Sequence, residues 1–240
     1  MIVIYLERGF EAVLQRHHAR LAASLMEKLE WIKASPYKID LILAAADHDD
    51  DYTEFRRKGM LNELGGPKDF KMETFNKADC ERLLDEALSQ SMFIAILVAL
   101  HIQFVHRNLS KAATKFCDAL EIKKQHWCDQ IDLSLTEMNR YYTILQWCDA
   151  LSLLVCQRGI PPEGRSLEIS DGPEGVTYFI SATDKDCYAI DPWPFTATEF
   201  TINVERRLLN KLKFRNDKEL QDALIDSSIA VQQITFSKKL

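Results

Sequence analysis

Apolar residues recur along this chain with two different periods, and the change of period divides it. Residues 2–6, "IVIYL", form a short apolar run that predicts a strand. From about Glu11 to Lys33 the positions Val13, Leu14, Leu21, Leu25, Leu29 and Ile32 keep helical spacing, which predicts a helix ended by Pro36. A second helix is expected over about 37–49, after which "NELGGPKDF" (62–70) is turn chemistry. One long helix is predicted over about 76–107, another from an N-cap at Ser110 to about Asp129, and a third over about 134–158. After "RGIPPEGRS" (158–166) the pattern shortens to "SLEIS", "GVTYFIS", "CYAID" and "FTINVE", separated by Gly, Pro and Asp, as antiparallel strands are. A short helical stretch, "DKELQDALI", and a strand-like "AVQQITFS" close the chain. The expectation is a mainly α protein, α+β overall: a helical domain over 1–160 with a small C-terminal antiparallel β region over 161–240 packed on it.

Composition narrows the function classes. With 240 residues, 47% of them hydrophobic, the chain can bury a core without disulfides. A net charge of −6 argues against nucleic acid or an anionic membrane as partner, since both favour a basic surface. The six cysteines form no CxxC pair and sit mostly in apolar helical contexts, as reduced thiols of a cytoplasmic protein do. The most apolar run, "SMFIAILVALHIQFV", is short for a membrane span and carries His101 and Gln103, so it reads as a core helix. The start "MIVIYLERGFEAVLQ" has an acidic residue and no cleavage site, unlike a signal peptide.

Candidate chemistry lies where polar residues interrupt apolar helices. His18 sits in "QRHHARLAASL", His48 and Asp49 close "LILAAADHDDDY", His101 interrupts "AILVALHIQFV", and Asp149 interrupts "ILQWCDALSLLVC". An ionised carboxylate in an apolar setting is costly unless paired or metal-bound. Four acids at the end of the second helix also oppose its dipole. Imidazole and carboxylate are ligands for Mn, Fe, Ni or Zn, and carboxylates for Mg. One explanation covers them all: side chains from different helices, His18, His48 with Asp49, His101 and Asp149, are aimed at one divalent ion. Asp50 or Asp47 is then a candidate to orient a water as base, and His101 or His106 to give a proton to a leaving oxygen or to bind a second ion. His106, five residues beyond His101, points away from it, so only one of the two is expected to face the site. Arg56, Lys68 and Arg140 are candidate contacts for an anionic substrate. The competing reading is a non-enzymatic helical scaffold or ligand-binding protein, in which the same residues form a buried polar network. Neither reading fixes oligomeric state, and a homo-oligomer is compatible with both.

The order His, His-Asp, Asp resembles the HD superfamily of metal-dependent phosphohydrolases. That resemblance implies a helical bundle, a divalent-metal site at His18, His48, Asp49 and Asp149, and hydrolysis of a nucleotide or other small phosphate ester. Over nearly the whole chain, "HARLAASL", "AADHDDDY", "GGPKDF", "VALHIQFVH", "NRYYTILQWCDALSLLVC" and "DPWPF" resemble successive blocks of a bacterial family, domain of unknown function 3891. That second resemblance implies a helical cytosolic protein and assigns no activity. The sequence departs from the "HDDGW" expected there at Asp51 and Tyr52.

Overall fold

A computed structural model describes residues 1–49 and 53–239 of the chain. Two N-terminal strands, β1 (Ile2–Leu6) and β2 (Gly9–Val13), precede six helices: α1 (Gln15–Lys28), α2 (Lys38–Asp47), α3 (Lys77–Gln90), α4 (Met92–His106), α5 (Lys111–Gln130) and α6 (Leu135–Cys156). Strands β3 (Ser166–Asp171), β4 (Thr177–Asp184), β5 (Cys187–Asp191) and β6 (Glu199–Leu209) follow, then α7 (Asp217–Ile225) and β7 (Ser228–Ser237).

All seven strands join one sheet in the order β1-β2-β6-β7-β5-β4-β3. Every pair is antiparallel except β5 with β7, which run parallel. This overturns the expected mainly α, HD-like bundle with a small antiparallel C-terminal region: the sheet is mixed, large, and built from both ends of the chain. The strand expected over 2–6 is β1, but β2 escaped the periodicity because it is buried at every position, so "GFEAV" shows no alternation and its last three residues fell inside the expected first helix. Gly9 admits the close approach of β2 to β6, since a Cβ there would lie 1.8 Å from the Leu209 carbonyl oxygen.

The expected helix over 76–107 is two helices broken at Ser91, whose backbone is extended at φ −159° and ψ 156°. Its hydroxyl accepts from the Ile94 N–H and donates to Asp40 on α2, so one residue caps α4 and ties it to a neighbour. The run Phe93–Gln103 is buried on all sides because α2, α3, α5 and α6 surround α4. The Ser110 cap falls where expected, accepting from the Ala113 N–H. Helix α1 packs against α2, α6 and β6, while α6 also meets β3. Trp147 of α6 is fully buried, edge-on to Trp31, Tyr178 and Phe195. Five of the six cysteines are buried, and none of the six is in a disulfide. Among the described residues no helix is long and apolar enough to cross a membrane.

A buried guanidinium joins sheet to helix. Arg206 of β6, 1% exposed, donates to the Val155 and Cys156 carbonyls at the end of α6 and to Glu11 of β2. Glu11 also receives a bidentate pair of bonds from Arg158. These donors satisfy the open C-terminal carbonyls of α6 and place a cation at the negative end of its dipole. Arg206→Met, which strands both carbonyls and leaves Glu11 with Arg158 alone, is expected to cost about 3–5 kcal/mol in urea unfolding. A loss below about 1 kcal/mol would show that the clamp carries no weight.

Candidate metal centre

Three packed helices converge on one point. Helix α1 contributes His18, the end of α2 contributes His48 and Asp49, and α6 contributes Asp149. His48 is the C-cap of α2, and Asp49 follows it just past the helix. One ligand atom from each of these four residues lies within 4.8 Å of every other. Both imidazoles are fully buried, and Asp149 is 7% exposed.

The distances are those of neighbouring ligands around an ion. His18 Nε2 stands 2.9 Å from Asp149 Oδ1 and 3.5 Å from Asp49 Oδ2. His48 Nε2 stands 3.3 Å and 3.4 Å from the same two oxygens. Donors bound at about 2.0–2.2 Å to a shared cation sit roughly 3–3.5 Å apart. His18 Nε2 makes no well-aligned hydrogen bond despite its 2.9 Å separation from Asp149 Oδ1. Nitrogen and oxygen therefore do not aim squarely at each other, as expected of two groups aimed at a third point between them.

The far side of each ring is anchored. His48 Nδ1 donates to the Ala45 carbonyl at 2.8 Å, which can only accept, so this nitrogen carries a proton. The Ser152 hydroxyl donates to the Asp149 carbonyl and thereby accepts from His18 Nδ1 at 2.8 Å. Both rings thus present Nε2 to the centre, the arrangement that metal-ligating histidines use. Burial alone would lower the pKa of His18 and His48, but Asp149 and Asp49 outweigh it and hold both above the ordinary histidine value. Reciprocally, burial would raise the aspartates, and the imidazoles instead hold both below the usual carboxylate range. With no ion between them, the four groups form a charge-balanced quartet whose protons a divalent cation would replace. The cluster can hold a metal ion.

A cavity of about 380 Å³ opens onto the cluster. Gln15, His101 and His106 line it beside Asp49 and Asp149, with Phe70, Phe104 and Leu153 on its apolar side. Both histidines of α4 line this cavity, and of the two it is His101 that meets a residue of the cluster. The cavity wraps the end of α4, with Ile102, Phe104 and Val105 lining it as well, so side chains about 140° apart on the helix both reach it. His101 Nε2 lies 3.4 Å from Asp49 Oδ1, the oxygen turned away from the two ligand imidazoles, and its Nδ1 lies 3.4 Å from the Tyr142 hydroxyl. Arg56, Lys68 and Arg140 do not line the cavity; Arg57 does, held by Glu73 at 2.8 Å. Arg56 and Arg140 are exposed. Asp50 lies outside the described residues. Gln15, Ser152 and Tyr142 were missed by sequence reasoning, yet two carried a signal: Gln15 precedes His18, and Ser152 follows Asp149, by three residues on the same helix face.

A family model described as protein of unknown function, DUF3891, matches residues 1–211, and the chain belongs to that family. The match contains every residue of the cluster and ends before α7 and β7. Neither a search of curated proteins nor one of solved structures returned a match.

Ser152→Ala removes the anchor of His18 without touching a ligand. It is expected to weaken Mn²⁺ affinity about 10- to 100-fold in equilibrium dialysis, with secondary structure retained. Because the carboxylates keep both imidazoles protonated above their ordinary range, an incoming ion must displace protons. Affinity should therefore climb as pH rises through the raised histidine values and fade in acid. Calorimetric heats that are independent of buffer ionisation enthalpy would contradict this.

Proposed function

We propose that this member of the family is a metal-dependent hydrolase acting on a small phosphate ester. The supporting observation is the convergence of two anchored imidazoles and two carboxylates at the base of a cavity large enough for a small molecule. His18, His48, Asp49 and Asp149 would hold a divalent ion, with Mn, Fe, Ni and Zn suiting the mixed nitrogen and oxygen donors better than Mg. Such an ion lowers the pKa of water toward neutrality and offers charge to a phosphoryl oxygen.

The remaining residues have roles that follow from their positions. His101 stands beside Asp49 with Tyr142 behind it, placed to pass a proton to a departing alkoxide oxygen. Arg57 brings a guanidinium to the cavity wall. Phe70, Phe104 and Leu153 give the ester's organic group an apolar surface.

A metal-free polar network in a binding protein would also account for the charge balance of the quartet, and one experiment separates the two. Untagged protein should contain stoichiometric divalent metal by elemental analysis. A panel of phosphate esters supplemented with Mn²⁺, Ni²⁺ or Co²⁺ should reveal turnover that His48→Ala and Asp149→Ala abolish. Metal-free protein whose unfolding midpoint is unmoved by any of these ions would refute the hydrolase reading.

A further inference from the structure

Asp49 is held at both of its oxygens. Oδ2 faces the cluster: it lies 3.5 Å and 3.4 Å from the ligand nitrogens of His18 and His48, and it accepts from Gln15 Nε2 at 2.6 Å. Oδ1 lies 3.4 Å from His101 Nε2. Gln15 begins α1, three residues before His18, and is 6% exposed. Its amide could be read with nitrogen and oxygen exchanged, but an ionised Asp49 can only accept, so the nitrogen faces it.

The Gln15 contact is itself anchored. The backbone N–H of Gln15 donates to Glu54 Oε1 at 2.8 Å, and Glu54 is 2% exposed. One residue of α1 thus clasps the chain at Asp49 and again at Glu54. The amide oxygen of Gln15 is sealed in the interior with no donor among the described residues, an unfavourable placement that the bond from its nitrogen to a charged acceptor offsets. A carboxylate tied in this way resists turning. Rotation about Cβ–Cγ that brought both oxygens to one ion would break the Gln15 bond and withdraw Oδ1 from His101. Asp49 therefore offers the cluster one oxygen. Such a set suits Zn²⁺ and similar ions, which take single nitrogen and oxygen donors. Ca²⁺ instead takes about six to eight oxygens and often draws both from one carboxylate.

We propose, on the reading of this site as the metal centre of a hydrolase, that Gln15 is a positioning residue that sets ion choice: its amide nitrogen keeps Asp49 a single-oxygen ligand, which favours Zn²⁺-like ions and disfavours Ca²⁺. The same bond couples the start of α1 to the end of α2, the elements that bring His18 and His48 to the cluster.

The test uses the full chain stripped of metal. Gln15→Met and Gln15→Ala remove the donor toward Asp49, and Gln15→Lys returns one. Zn²⁺ affinity is read by competition with a chromogenic chelator, and Ca²⁺ affinity by calorimetry. In the first two variants Zn²⁺ binding is expected to weaken about 10- to 100-fold and Ca²⁺ binding by less than about 3-fold, which narrows the preference. Gln15→Lys should keep the wild-type preference even as its charge weakens both ions. No narrowing in Gln15→Met and Gln15→Ala overturns the assignment, because equal loss of both ions is what a merely structural role produces. Narrowing of the same size in Gln15→Lys overturns it too. Wild type that takes up neither ion removes the metal reading and this assignment together. The expected narrowing in a protein that hydrolyses no phosphate ester keeps Gln15 in its role and removes the hydrolase reading alone.

Discussion

Two carboxylates and two imidazoles occupy one small interior volume, and the surrounding structure is arranged to make that tolerable. Asp49 and Asp149 repel each other in a medium that screens poorly, and neither can be buried ionised without a positive partner. The protonated imidazoles of His18 and His48 supply that partner when no ion is present, which is why all four pKa values move in complementary directions. The balance is between integral charges at close range. A divalent cation would bring two positive charges to the same place and so replace both protons at once.

Such a cluster needs a scaffold that does not relax around it. Helix α1 lies between α2 and α6, so three of the elements carrying ligands touch directly. The far end of α6 is gripped by Arg206 from β6, and Ser91 links the start of α4 to α2. The sheet is therefore part of how the site is held: β6 fixes the helix that bears Asp149, and β2, through Glu11, fixes Arg206. Strands from the two ends of the chain meet across β2 and β6, and their register sets where the helices sit.

How much of this was legible follows from where the signals lie. Polar residues inside apolar helices stand out in a sequence, so His18, His48, Asp49, His101 and Asp149 could be singled out before any fold was known. The sheet could not be sized in the same way, because β2 is buried on both faces and its pairing with β6 spans nearly the whole chain. Ser91 was hidden by flanking residues that are good helix formers on both sides; its break becomes evident only through the bond to Asp40. Basic residues were the least informative. Arg56 and Arg57 are adjacent and chemically alike, yet only Arg57 reaches the cavity, and nothing in their local pattern distinguishes them.

That last point bears on what the cavity can attract. Arg56, Lys68 and Arg140, the basic residues first considered for an anionic group, do not line the cavity, and Arg57, which does, is already bonded to Glu73. Asp79 and Glu73 add two more carboxylates to the wall, beside Asp49 and Asp149. Without an ion, the protein's own charges at this cavity do not favour a phosphate. A divalent ion held by the quartet would exchange the imidazole protons for an equal charge concentrated beside the cavity. Attraction of an anionic ester and activation of water would then come from the same source. The metal and the phosphate ester are in this sense one proposal: the electrostatics of the cavity support the second only through the first.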